Sequence, residues 1–144
     1  MNHDAVIRGA YDEDTELKRY VWRNYSHALT EREQSLHCAA TLELKARHAR
    51  TGAASAKLRH RPGYFFDTDV AAIAESGLEA FEQQCCQRLL HDYADLIYIN
   101  RCERCLRIVA SPIACACLWC GHHWYDRRLE MIARSTSNIY PSHK

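Results

Sequence analysis

Two closely spaced cysteine units, Cys102-Glu-Arg-Cys105 and Cys117-Leu-Trp-Cys120, with eleven residues between them, constrain this chain more than any other feature. Two thiolates at this spacing can meet one ion on a tight turn, and two such turns supply the four sulfurs that tetrahedral zinc prefers. Gly121 follows the second unit and suits such a knuckle, where the backbone often needs a conformation that side-chain-bearing residues resist. Ser111-Pro112 provides a turn between the two halves. Four cysteine ligands leave no open coordination position, so the expected Zn(2+), one per chain, is structural.

Other readings stay open at this point. Cys115, two residues before the second unit, is the main substitute ligand, with His122 and His123 behind it. The cluster could instead form a pair of disulfides or a rubredoxin-like iron centre. Zinc is preferred over iron because rubredoxins typically carry a much longer insertion between their two CxxC units. The segment from Tyr98 to about Tyr125 resembles a zinc ribbon, in which two knuckles on short β-hairpins hold a four-cysteine zinc. The resemblance rests on the two CxxC units and Gly121; where a ribbon's first knuckle often also ends in glycine, this chain has Leu106. It implies nucleic acid, or a nucleic-acid machine, as one class of partner.

The cysteines also bear on compartment. The chain opens Met-Asn-His-Asp-Ala-Val-Ile-Arg without the apolar run of a signal peptide, and no stretch approaches the roughly 18 to 20 apolar residues that span a bilayer. A cytoplasmic protein without membrane contact is the expectation. There, eight thiols do not normally become four disulfides, and clustered cysteines more readily bind metal or do redox chemistry.

Elsewhere the pattern is helical. Leu17, Tyr20, Val21, Asn24 and Ala28 recur at helical spacing over 13–27. Thr30-Glu-Arg-Glu33 forms a capping box for a helix to about Arg50, whose apolar positions fill more than one stripe and call for cover on two sides, from a partner helix or a second chain. A basic linker is expected near 51–66, ending in Pro62-Gly63. Asp67 or Thr68 caps a short helix through Ala74, and Ser76-Gly-Leu-Glu79 repeats the capping-box pattern for a helix to about Tyr93, with Leu78, Phe81, Cys85 and Leu89 on one buried face. The runs Leu96 to Ile99 and Leu106 to Val109 suit short strands. A short basic helix and a frayed tail are expected over 127–144, and no internal repeat is visible.

Charge alternates along the chain: −3 over 1–43, +6 over 44–66, −6 over 67–97 and +4 over 98–144, for a total of +1. The balance gives no global pull on nucleic acid, so any basic face is local. One reading joins Arg101, Arg104, Arg107, Arg127 and Arg128 of the ribbon with Lys57, Arg59 and Arg61 in a phosphate-binding face. The other has the acidic segment 67–97 packing beside its basic neighbours and neutralising them. Trp119 suits either base stacking or the ribbon's own core, and Trp124 is assigned to packing against the preceding helix. The pairs His27/Glu31 and Glu33/His37 have ligand spacing but read more simply as surface pairs. No catalytic motif occurs.

The expected fold is therefore α+β: a mainly helical N-terminal part over 1–95, then a small β zinc ribbon over 96–126. The expected function is a non-enzymatic zinc-binding protein contacting nucleic acid or a nucleic-acid machine. The alternative is a protein-docking module or a homo-oligomer assembled through its helices.

Overall fold

Thr30 starts the longest helix as its sequence dictates. Its hydroxyl accepts from the Glu33 amide at 3.1 Å while the Glu33 carboxylate accepts from the Thr30 amide at 2.9 Å. The protein, a computed structural model describing residues 9–127, places α1 at Glu13–Tyr25, a single 3₁₀ turn at Ser26–Ala28, α2 at Glu31–Arg47, α3 at Gly52–Arg59, α4 at Thr68–Ser76 and α5 at Leu78–Asp92. The basic helix and tail expected over 127–144 lie outside the described residues from 128 onward.

The chain divides into two compact units. One holds residues 21–97; the other joins 9–20 to 98–127. In the helical unit α2 is central, with α3, α4 and α5 all packed on it. Leu36, Ala39 and Ala40 of α2 meet Val70 and Ile73 of α4, and Phe65, Leu78 and Phe81 close the cluster. The broad apolar surface of α2 is thus accounted for by helices of the same chain. Cys85 and Leu89 are buried on α5 as their spacing required.

Two local expectations are corrected here. The segment around 51–66 carries helix α3, because the Thr51 hydroxyl accepts from the Ala54 amide at 3.1 Å and caps it. Ser76 does not cap α5: it ends α4, and Gly77 follows at φ +93, a conformation open to glycine that separates the two helices.

The fold class is corrected too. Among the described residues 57% are helical and no strand forms, so the chain is neither α+β nor the bearer of a β zinc ribbon. Where hairpins were expected there are two isolated antiparallel bridges, Arg101 with Ile108 and Ala116 with His123. The groups that would extend a ladder are bonded elsewhere. The Tyr20 hydroxyl donates to the Tyr98 carbonyl at 2.6 Å and accepts from the Asn100 amide at 3.2 Å. The Asn100 side-chain amide donates to the carbonyls of Ser111 and Ala114 at 2.9 and 3.0 Å. A backbone satisfied by side chains has no need of a neighbouring strand.

Among the described residues Glu43 of α2 is the one buried acid, and it is fully partnered. It accepts from Arg59 at 2.9 and 3.0 Å, from Arg47 at 3.1 Å and from the Tyr64 hydroxyl at 2.8 Å. Arg59 in particular holds its carboxyl at about 2, well below the ordinary 4.5. A depressed carboxyl stabilises the fold fully above its unfolded value, and that contribution is lost as pH falls from about 5 toward 2. Glu43→Gln is expected to cost about 3 kcal/mol near neutral pH, since it leaves two guanidinium groups beside a neutral amide. In urea titrations followed by circular dichroism the gap to wild type should close below pH 4. A gap that stays constant with pH would show that packing, and not charge, holds this end of α2.

Candidate metal centre

The two knuckles are built alike. The Leu106 amide donates to the Cys102 carbonyl at 2.8 Å, and the Gly121 amide to the Cys117 carbonyl at 3.0 Å. Cys102 then donates to Arg107, and Cys117 to His122, at 2.9 and 2.7 Å. Val109 donates to Asn100, and Trp124 to Cys115, at 3.1 and 2.8 Å. Each pair is related by a shift of fifteen positions, as are the two bridges. The knuckles are therefore an internal repeat, which side-chain identity concealed because little besides the cysteines is shared.

This repeat converges four sulfurs. Those of Cys102, Cys105, Cys117 and Cys120 all lie within 4.8 Å of one another, and no other such cluster of ligand groups occurs among the described residues. The Cys102–Cys120 and Cys105–Cys117 separations are both 3.6 Å. Four thiolates around a tetrahedral ion with metal–sulfur bonds of about 2.3 Å stand about 3.8 Å apart, whereas a disulfide needs about 2 Å. The donor set fits a metal ion of zinc's size and softness, and none of the eight cysteines is in a disulfide. Burial pushes the Cys117 thiol up to about 12 and also raises Cys105, while the backbone amide of His122 pulls exposed Cys120 down to about 7. A cation is what lets all four ionise together.

The other sulfur and imidazole candidates are placed elsewhere. Cys115 occupies the position equivalent to Asn100 and directs its sulfur at the Ile113 carbonyl, 3.5 Å away. His122 bonds Glu103 at 3.1 Å, and His123 packs beside Tyr125. In the helical unit His37 meets Glu82 at 3.1 Å and Glu33 meets Arg88 at 2.5 Å, so the Glu33/His37 pair is spent on separate ion pairs. Cys85, raised to about 12 chiefly by burial, is a core thiol.

Cys102, Val109 and Cys117 form a buried cluster at the centre of this unit, with Trp119 and Trp124 packed on it. Trp124 thus belongs to the knuckles' own core, which corrects its assignment to the preceding helix. Trp119 is met edge-on by Tyr11 at 5.1 Å, and the Arg107 guanidinium lies over both rings, 5.3 Å from Tyr11 and 5.8 Å from Trp119. Sequence reasoning missed Tyr11, whose hydroxyl accepts from the Ile108 amide at 3.1 Å, and Glu13, which pairs with Arg101. Nothing local to 9–20 signals these partners.

The arginines expected on a phosphate-binding face divide. Arg101 is held by Glu13, and Arg127 makes a bidentate pair with Glu103 at 2.5 and 2.7 Å. Arg59 is spent on Glu43, Arg104 and Arg107 are exposed, and Arg128 lies outside the described residues. Lys57 and Arg61 are exposed in the helical unit.

Comparison with protein-family models, with curated proteins and with solved structures finds no match to this chain. Among the described residues no helix is long and apolar enough to cross a membrane.

Replacing Cys115 with Ser should leave one metal per chain by atomic spectroscopy, whereas Ser at Cys102 or Cys117 should abolish stoichiometric loading. Metal lost from Cys115→Ser would overturn the assignment of ligands. Gly121 sits at φ +79 and Leu106 at φ +62 in the equivalent position. Gly121→Ala should therefore cost about 1–2 kcal/mol, read as roughly tenfold weaker metal binding in a chelator competition. Leu106→Gly should not weaken binding, and a loss there would mean that the leucine side chain holds the first knuckle.

Proposed function

We propose that this chain is a non-enzymatic binding protein in which one structural zinc, held by Cys102, Cys105, Cys117 and Cys120, builds the knuckle unit. The observation that carries this reading is the convergence of four sulfurs at separations matching a tetrahedral thiolate ion. The knuckle unit is two short segments whose central buried cluster has two ligands among its three residues, with Tyr20, Ile108 and Cys115 also buried. Metal binding of about 10–16 kcal/mol, and not apolar burial, is then what folds it. Eight cysteines without a disulfide suit a reducing, cytoplasmic setting.

For the partner, we propose nucleic acid or a nucleic-acid machine. The knuckle pair keeps the ligand arrangement of the zinc ribbon it resembles, without the strands, and exposes Arg104 and Arg107, the latter beside aromatic rings. A second reading, protein docking or oligomerisation, is favoured by large exposed apolar side chains on the same unit: Leu106 and Ile113 at 68% exposure and Leu118 at 47%.

Purified protein should contain one zinc per chain, and cobalt substitution should give the absorption of a tetrahedral thiolate site. An iron centre, or a protein folded without metal, would overturn the reading. Chelation should first change the fluorescence of Trp119 and Trp124 while the far-ultraviolet signal of α2–α5 persists. Simultaneous loss of both signals would show instead that the metal is needed by the helical unit as well.

A further inference from the structure

Within the helical unit, residues 44–66 form a local excess of positive charge. Six Lys and Arg and no acid occupy residues 44–66. Two of the six, Arg47 and Arg59, are drawn inward to Glu43. Lys45, Arg50, Lys57 and Arg61 are exposed, and no ion pair among the described residues engages them.

The nearby acidic segment does not supply one. Asp67 and Asp69 pair with Arg32 at 2.9 and 2.8 Å, Glu82 with His37, and Asp92 with Arg88 and His91. These pairs all go to partners outside 44–66. Lys45 and Lys57 do fall in the last turns of α2 and α3, where they complement helix carbonyls. That interaction is worth only about 0.3–1 kcal/mol and leaves the charge in solvent. Arg50 and Arg61 lie beyond the helix ends, where even that role is missing.

The cations stand on a firm support. Arg59 and Tyr64 both reach Glu43, and the Tyr64 amide bonds the Arg61 carbonyl at 3.1 Å, so the turn after α3 is tied to α2. Gly63, at φ +88, lies so close to α2 that a Cβ there would stand 3.1 Å from the Cys38 sulfur. On α3 the helical spacing puts Lys57 and the C-cap residue His60 on one face, and Arg61 follows in the turn just beyond the helix. A shallow groove lined by Ala53, Ala54, Ala56, Lys57 and His60 runs along that face.

We propose that this face of α3, with Arg50 and Lys45 on the same α2–α3 hairpin, is the contact surface for the phosphodiester backbone of a nucleic acid. The inference rests on the nucleic-acid reading above and moves the main contact from the knuckles to the helices. Small alanines let a helix approach a phosphate backbone closely. A bilayer surface fits less well, because Phe66 is the one large exposed apolar residue within 44–66 and lies outside α3, whereas an interfacial helix needs several such residues along its own face to insert.

The test is fluorescence anisotropy of the zinc-loaded full chain with labelled single- and double-stranded DNA and RNA over a salt series. Lys57→Glu with Arg61→Glu, and separately Lys57→Gln with Arg61→Gln, should weaken binding about tenfold or more. Both should lower the salt slope by about one per lost phosphate contact. Arg104→Glu with Arg107→Glu should change affinity by less than about threefold on this inference. Binding lost only in the knuckle variant would overturn the hairpin surface and keep the nucleic-acid reading. No binding by wild type at low salt would overturn the nucleic-acid reading itself. Binding to phosphatidylserine vesicles with none to nucleic acid would overturn the choice of partner chemistry.

Discussion

The convergence of four sulfurs is the constraint on which the knuckle unit depends. Among its described residues the buried apolar side chains are Tyr20, Cys102, Ile108, Val109, Cys115 and Cys117, less apolar area than a domain of ordinary size encloses. Without an ion, four thiols at mutual distances below 4.8 Å contribute little cohesion and resist ionising together. With one, the same sulfurs become a tetrahedral cross-link between two turns fifteen positions apart. The hydrogen bonds of each knuckle then serve mainly to aim sulfurs, and their exact repetition at a shift of fifteen residues follows from the symmetry of the ion's demand.

The N-terminal segment completes this unit through three side chains. Tyr20 satisfies the backbone at Tyr98 and Asn100, Tyr11 satisfies Ile108, and Glu13 neutralises Arg101. Each contact spans some 80 to 100 positions of chain, so ordering it is opposed by a large loop entropy. These interactions also explain why strands do not form. Tyrosine hydroxyls and the Asn100 amide take the backbone groups that a ladder would otherwise pair.

What was legible in the sequence is what short-range chemistry decides. The Thr30 capping box, the Asp67 cap, the buried stripe through Cys85 and Leu89 and the demand for a glycine-type backbone at Gly121 each depend on residues within a few positions. The ligand spacing is of the same kind. Strands at 96–99 and 106–109 were misread because β-branched residues report a preference, while pairing is settled by partners that periodicity cannot reveal. The knuckle repeat stayed hidden because Glu103 and Arg104 correspond to Leu118 and Trp119: backbone hydrogen bonds repeat where side chains do not. Leu106 shows the same independence, adopting at φ +62 the conformation that its counterpart Gly121 takes without strain.

Charge followed neither simple expectation. Alternating blocks in sequence suggested that neighbours cancel, yet the acids of α4 and α5 are drawn to Arg32, His37 and Arg88, whose positions on the helices bring them within reach. The geometry of α2 explains the result. Its first half offers cations to α4 and α5, whereas its last turn, with α3, offers cations only to Glu43 and to solvent. A single buried carboxylate can anchor two guanidinium groups, and burying it fixes the hairpin whose remaining cations stay outside. Cohesion and surface charge in that hairpin thus come from one composition, an acid-free run of basic residues closed around one glutamate.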